Sequence, residues 1–407
     1  MALKKRLFAV CIFGTVLCSA SAADKPNWSS ARLWVWDINC LQQIKQKIRQ
    51  QDPFFTAAFE ILQKEGKQAL TAGPFSVMNK TLVPPSGDKH DYMSLAPYFW
   101  PNPDTPDGLP YIRKDGQRNP QSLDSKRDRR QLGQLCDAVE VLSLCYYYTD
   151  DPMYAERAAM LVRTWFLDEA TKMNPNLNFG QAVLGSSDGR CYGIIETAGF
   201  IGIVDSVGLI QNSPFWTAAD QQKLVQWFTD YLTWLTSHPL GLEESQTKNN
   251  HSTWYDAQAA AFALFVGNRP LAQQILALAS QKHIAAKIEP DGRQPHELTR
   301  TKSYGYSVMN LRGTFVLARL GEHVGMDLWN CRTEDERCLQ KALDYLIFYA
   351  DPKNKWPYQQ IEPIDASALY PLLKQAHAKI RGFDAQPVLK TLSEQSIHSQ
   401  RSALLFP

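Results

Sequence analysis

The sequence predicts an all-α fold in which helical hairpins close into an (α/α) toroid, with a solenoid as the alternative. Three observations carry that expectation. Apolar residues recur at helical spacing through most of the stretch from about Ile44 to Ala378. Alternating strand patterns are almost absent. Segments of similar length recur in pairs with loops between them, without a tight sequence repeat.

In chain order the predicted helices are 53–65, 129–148, 152–164, 192–210, 218–236, 254–266, 269–282, 303–320 and 336–349. Asp151-Pro152 and Ser213-Pro214 are cap-plus-proline starts, because Pro suits a first helical position that needs no N–H. Gly267-Asn268 ends a helix, since glycine accepts the left-handed conformation there. The run WYDAQAAAFALFV at 254–266 is Ala-rich and free of Gly and Pro, so it reads as a buried helix. Asn249 or Asn250 would cap it. Two long irregular stretches interrupt the array, about 73–126 and 173–190. Loops this long are functional or disordered. Their aromatics, Tyr92, Tyr98, Phe99, Trp100, Tyr111 and Phe179, argue for order, as covering loops of a binding cleft.

Lys4, Lys5 and Arg6, a short apolar core over 7–17 and the small-residue pattern Ala20-Ser21-Ala22 read as an export signal cleaved after Ala22. The core is too short to span a bilayer, and no later stretch reads as a membrane span. Cys18 follows Leu17 rather than a small residue, which argues against a lipid anchor. The expected mature chain, 23–407, is a single helical domain with a polar tail from about 384, located in the periplasm or outside the cell. That compartment permits disulfides. Cys331 and Cys338, flanking the polar loop CRTEDERC, are the best candidate pair. Cys136 and Cys145 read as small apolar packing groups. No CxxC or clustered Cys/His spacing suggests zinc, and no Gly-rich phosphate loop is present, so no cofactor is expected. A net charge of +2 argues against nucleic acid as a partner. The 11 Trp, 16 Tyr and 18 Phe suit sugar binding, because ring faces stack on pyranose C–H surfaces. A monomer is expected.

The chemistry-bearing residues form two groups. Asn249-Asn250-His251 stand at a predicted helix start, where free N–H groups and the positive end of the dipole seat an anion. There an amide and an imidazole can hold a carboxylate and move a proton; the plain alternative is an Asn cap beside a packing His. Arg300, Tyr304 and Tyr306 stand at another helix start. An arginine near a phenol stabilises the phenolate and is expected to lower its pKa. Tyr304 and Tyr306 are not separated by sequence alone; the plain alternative is a core Tyr with a surface Arg. In the second loop Arg190 offers a bidentate fork to a carboxylate and Gln181 an amide to a hydroxyl. Tyr92 and Tyr98 would form a lid or stacking wall, unless they only fix the loop to the body. Acid pairs such as Glu243-Glu244 read as solvated.

Asn250-His251, followed by Arg300 and Tyr306, resembles the alginate lyase family of polysaccharide lyases. So do the loop Asp91-Tyr92-Met93-Ser94-Leu95-Ala96-Pro97-Tyr98-Phe99-Trp100-Pro101, its continuation through Asp107-Gly108 and Arg113-Lys114-Asp115-Gly116, and Met173-Asn174-Pro175-Asn176-Leu177 with Gly189-Arg190. The resemblance spans roughly Tyr92 to Leu311. It implies an incomplete (α/α) toroid and β-elimination on an acidic polysaccharide, without cofactor. It assigns Tyr306 as catalytic base and acid, His251 as the catalytic His, Asn250 as the carboxylate-binding amide and Arg300 as the accessory Arg. Arg300 lies six residues before Tyr306, one fewer than in the mannuronate-specific branch. That spacing resembles a neighbouring branch that includes glucuronan-cleaving enzymes, and it leaves the polymer open.

The residue types suit this reaction. Removing the C5 proton beside a carboxylate builds a dianionic enolate, which Asn250, Arg300 and a protonated His251 can neutralise. One Tyr can take the C5 proton and return one to O4 only in a syn elimination, as on mannuronate or glucuronate. On guluronate the base must come from the other face, where His251 is the candidate. Two rivals stand beside this reading. A glycoside hydrolase needs two carboxylates across the cleft, for which Glu196 and Glu297 are available. A carbohydrate-binding protein needs no intact Asn/His/Arg/Tyr set.

Overall fold

The computed structural model describes residues 28–124, 127–398 and 400–407. The stretch read as an export signal lies outside these residues. The helices that build the body are α1 (Ile38–Arg49), α2 (Pro53–Ala69), α3 (Asp128–Thr149), α4 (Pro152–Phe166), α5 (Phe200–Ile210), α6 (Ala218–Ser237), α7 (Pro239–Ser245), α8 (Asn250–Phe265), α9 (Arg269–Ala279), α10 (Pro295–Leu298), α11 (Ser303–Glu322), α12 (Leu339–Ala350) and α13 (Tyr370–Lys379).

Helices α3, α5, α8 and α11 are buried on nearly every side and touch in sequence, α3 on α5, α5 on α8 and α8 on α11. Outside them α4, α9 and α12 pack as the return arms of hairpins with α3, α8 and α11, while α6 backs α8. This is the toroid the sequence predicts, inner helices apolar all round and outer ones one-sided. Ala257, Ala259, Ala260, Ala261 and Ala263 are fully buried in α8, where small side chains let the neighbouring helices approach.

Local signals act where expected with a few displacements. Asp151 caps α4 with Pro152 at its first turn, and Gly267 takes φ +82° behind α8. Ser213-Pro214 does not start a helix; Thr217 and Asp220 form a reciprocal capping box that starts α6 at Ala218 instead. The predicted helix 192–210 is split into a 3-10 segment, Cys191–Gly199, and α5. Its entry is set by Gly193, where a Cβ would come within 2.6 Å of Gly180 backbone. By length and composition Cys191–Ile210 could cross a membrane, against the sequence expectation, but 72% of its most apolar 18-residue stretch is buried in the body, as a core helix would be. The segment after 384 does not trail away as a polar tail. Ile397, Ala403 and Leu404 are buried, Tyr148 donates to the Leu404 carbonyl at 2.5 Å, and Arg401 pairs with Glu140 and Asp137. Cys331 and Cys338 remain thiols rather than a disulfide. The loop between them is closed by the Thr333 N–H donating to the Arg337 carbonyl, by the Arg337 N–H donating to the Thr333 hydroxyl, and by the Arg337 side chain donating to the Ala285 and Ile288 carbonyls.

The N-terminal segment straps the end of the toroid remote from the loops. Trp34, Val35 and Trp36 donate their backbone N–H groups to the buried Asp205 carboxylate of α5 at 2.6, 2.9 and 2.7 Å. On the α11 side, Arg319 pairs with Asp37 and donates to the Val35 and Trp36 carbonyls. Asp205→Ala strands these donors and is expected to destabilise the fold by about 3 kcal/mol or more, read from urea midpoints. Burial raises the Asp205 carboxyl to about 6 despite its three backbone bonds. The folded chain therefore holds this proton more tightly than the unfolded chain. Its contribution is fully present below the ordinary Asp value, about 4, and is lost as pH rises through about 6. The deficit of the variant is expected to be wider at pH 4 than at pH 7.

Candidate active site

Four helix starts converge on a cavity of roughly 690 Å³. Arg129 opens α3, Tyr192 and Ile195 belong to the 3-10 segment ahead of α5, Asn250 and His251 open α8, and Tyr306 lies in the first turn of α11; all line the cavity. Their backbone dipoles direct positive ends toward it. The cationic lining is Arg113, Arg118, Arg129, Arg190, Lys248 and Arg300, and no carboxylate lines it among the described residues. The near-neutral chain thus concentrates cations at one place, which fits a polyanion.

The two long loops form the wall opposite α8. Strands β1 (Met93–Leu95) and β4 (Phe179–Ala182) pair in parallel, joining the loops, while β2 (Phe99–Trp100) and β3 (Ile112–Arg113) form an antiparallel pair within the first. Gly116 (φ +72°) brings the first loop so close to α11 that a Cβ there would lie 2.2 Å from the Thr301 hydroxyl. This approach delivers Asp115 to Arg300.

Tyr306 is the centre of the polar geometry. Its hydroxyl lies 2.8 Å from the Tyr98 hydroxyl and accepts from the Arg300 guanidinium at 2.9 Å. The guanidinium also stands over the phenol ring, 4.0 Å from its centroid. Asp115 accepts from Arg300 at 2.8 and 3.3 Å and from the Thr301 hydroxyl at 3.2 Å, fixing the arginine from behind. Burial pushes the Asp115 carboxyl up, but bonds from Arg300 and Arg113 outweigh it and hold it well below the usual carboxylate range. Arg300 pulls the Tyr306 pKa down as expected, but the net shift is upward. Burial raises the phenol and the Tyr98 bond adds to it, against the opposing pull of Arg300. At rest Tyr306 is a protonated phenol.

On the other side, Asn249 caps α8 through the His251 N–H at 3.2 Å. The helix therefore starts at Asn250, four residues ahead of the predicted run. Asn250 is bound twice by the buried Glu297: backbone N–H to Oε1 at 2.5 Å and side-chain N–H to Oε2 at 2.7 Å. Burial raises the Glu297 carboxyl against these bonds. His251 Nδ1 lies 2.6 Å from Oε1 of Glu244, whose side chain is fully buried, and Tyr192 packs edge-on against the imidazole. Beneath this start, Lys287 donates to the Asn249 carbonyl and the Ser252 and Thr253 hydroxyls; burial lowers it to about 7.

The remaining candidates divide. Arg190 lines the cavity, donates to the Gln181 carbonyl and side-chain oxygen at 3.0 and 3.1 Å, and lies over the Phe99 and Tyr192 rings. Gln181, at φ +50°, thus orients the arginine while lining the cavity. Two candidates are corrected. Tyr92 is completely buried and donates to Glu196 at 2.7 Å, anchoring its loop to the body rather than facing the cleft. Tyr304 is 2% exposed and donates to the Leu346 carbonyl at 3.1 Å, because two helix positions turn it away from the face that carries Tyr306. Tyr304→Phe is expected to cost about 1 kcal/mol of stability while turnover stays within about twofold; near-complete loss of turnover would reverse this assignment.

The carboxylates offered for hydrolysis are both engaged. Glu196 accepts from Arg129 at 2.5 Å, Tyr92 and Ser94, and Glu297 holds Asn250; neither lines the cavity. Sequence reasoning missed Glu244, read as solvated, and the cleft cations Arg118, Arg129 and Lys248. Glu244 could have been found by its position seven residues ahead of His251, on the short helix that leads into α8.

A helical toroid opening on a cationic cleft, where a phenol and a guanidinium share one hydrogen bond, belongs to the polysaccharide lyases. More narrowly, the chain belongs to the alginate lyase family, whose profile matches residues 76–356. An alginate lyase from Bacteroides ovatus is 37% identical, with TM-score 0.88 over 93% of this chain and 99% of that one. The alginate lyase A1-III from Sphingomonas species A1 shares the fold at 17% identity, TM-score 0.58, over 90% and 94% of the two chains. A histidine-to-alanine variant of that enzyme in complex with a tetrasaccharide aligns over the same shares at 15% identity, TM-score 0.57. A comparison with curated proteins finds no significant match.

Proposed function

We propose that this protein cleaves a uronate polymer, the mannuronate stretches of alginate or a glucuronan, by syn β-elimination, leaving a 4,5-unsaturated uronate end. The carrying observation is the Tyr306 hydroxyl held at 2.9 Å by Arg300, in a cleft without a carboxylate among the described residues. The carboxylate at C5 would sit by Asn250, His251 and the α8 start. Tyr306, as the phenolate that Arg300 balances, would take the C5 proton and, as the phenol so formed, return it to the departing O4, which regenerates the phenolate. Tyr98 would yield its hydrogen bond as substrate enters. Family membership and the Bacteroides ovatus neighbour support alginate; the six-residue Arg300–Tyr306 spacing favours glucuronan as a second reading. The N-terminal sequence supports export, to where such polymers occur, and we propose action as a monomer.

The test is a panel of polymannuronate, polyguluronate and glucuronan, followed by ultraviolet absorbance of the unsaturated product. Absorbance growing fastest on one of the two syn substrates is expected. New reducing ends without absorbance would replace the lyase reading by hydrolysis. Binding of the polymers without any cleavage would replace it by recognition alone.

A further inference from the structure

We propose that Glu244 is a positioning residue for His251, fixing the imidazole as its Nδ1–H tautomer and turning Nε2 to the cleft, where it can take the proton that makes an imidazolium beside the substrate carboxylate. The inference rests on the proposed function for its consequence in turnover, but its geometry stands alone. Glu244 Oε1 lies 2.6 Å from Nδ1, and the carboxylate is shut off from solvent at the end of α7. A carboxylate has no hydrogen to donate, so Nδ1 must carry the proton in this contact. The ring is also gripped from the side by Tyr192, centroids 4.9 Å apart at 80°. With one ring nitrogen committed and the plane fixed, the other nitrogen is the one available to the cavity that His251 lines.

Anchoring the start of α8 does not require this carboxylate. Asn249 caps the helix, Glu297 binds Asn250, Lys287 binds the Asn249 carbonyl, and Ser252 donates to the Thr247 carbonyl. Glu244 adds a contact to a ring, at the desolvation cost of a wholly buried carboxylate. Such an arrangement is the orienting half of an acid–base pair: a carboxylate behind an imidazole sets its tautomer and balances the imidazolium once a proton arrives. The other charged or titratable groups around the pair are Cys191, Tyr192, Glu243, Lys248, Tyr255, Lys287 and Glu297. None makes a hydrogen bond to either ring nitrogen among the contacts described.

The test is Glu244→Gln, which preserves shape and removes the obligate acceptor. Nitrogen NMR of the resting protein, labelled at histidine, is expected to show a single Nδ1–H tautomer in wild type and a mixture in the variant. Melting should shift by only a few degrees, while kcat falls at least about tenfold and KM stays within about threefold. Glu244→Asp, which keeps the acceptor, should recover part of the loss. An unchanged tautomer in Glu244→Gln, or kcat within twofold of wild type, overturns the proposal. If wild type forms no unsaturated product the functional reading fails separately, and the tautomer measurement still decides the Glu244–His251 inference.

Discussion

Tyr306→Phe is expected to lower kcat by at least about a thousandfold, within the range that positioned acid–base groups supply, while polymer affinity changes little. The variant keeps the ring on which the Arg300 guanidinium rests and removes only the hydroxyl shared with Arg300 and Tyr98. In the proposed mechanism that atom serves two steps, so no partial route survives its removal. The raised Tyr306 pKa adds a pH signature. The base is the phenolate, whose fraction grows tenfold per pH unit below its pKa. The value of kcat/KM in wild type should therefore climb between pH 7 and 9 rather than level off near neutrality. A flat profile there, or more than a tenth of wild-type turnover in the phenylalanine variant, would remove Tyr306 from its role.

Arg300→Lys should cost about a hundredfold or more in kcat although the charge is kept. The guanidinium does three things at once: it donates to the phenol oxygen, faces the ring and forks onto Asp115. A lysine is a point donor and cannot reproduce a planar fork held from behind and used in front. Its ammonium should follow Asp115 and leave the phenolate unbalanced. A loss of two decades corresponds to about 3 kcal/mol, the scale of one oxyanion donor. Full activity in Arg300→Lys would mean that charge alone suffices and that the stacked geometry is incidental. Measuring kcat and KM separately distinguishes the two.

Much of the fold was legible because its signals are local. Burial of α8 follows from an unbroken Ala-rich run, and α4 from an Asp-Pro start. The cap of α8 is legible, Asn249 being one of the two candidates, although the apolar run itself begins only at Trp254, because Asn250 and His251 are polar and polarity alone does not distinguish a loop from a helix turn bound to a buried glutamate. Tyr304 and Tyr306 were inseparable until their helix faces were known; one turns to the Leu346 carbonyl and the other to the cleft. Glu244 reads as solvated beside Glu243 because burial is a property of what packs above a residue. The direction of the Tyr306 shift was misjudged for the same reason: an adjacent cation is visible in the sequence, and the desolvation that outweighs it is not.

The parallel pairing of Met93–Leu95 with Phe179–Ala182 has a consequence for how such a protein can change. One face of the cleft is woven from two stretches far apart in the chain, further fastened by the Ala96 N–H to the Ala182 carbonyl and by Arg190 lying over Phe99. Neither stretch can be transplanted from a relative by itself without leaving the other stretch's edge unmatched. Retargeting to another polymer, in evolution or by chimera, is therefore a coordinated exchange of both stretches on an unaltered helical scaffold.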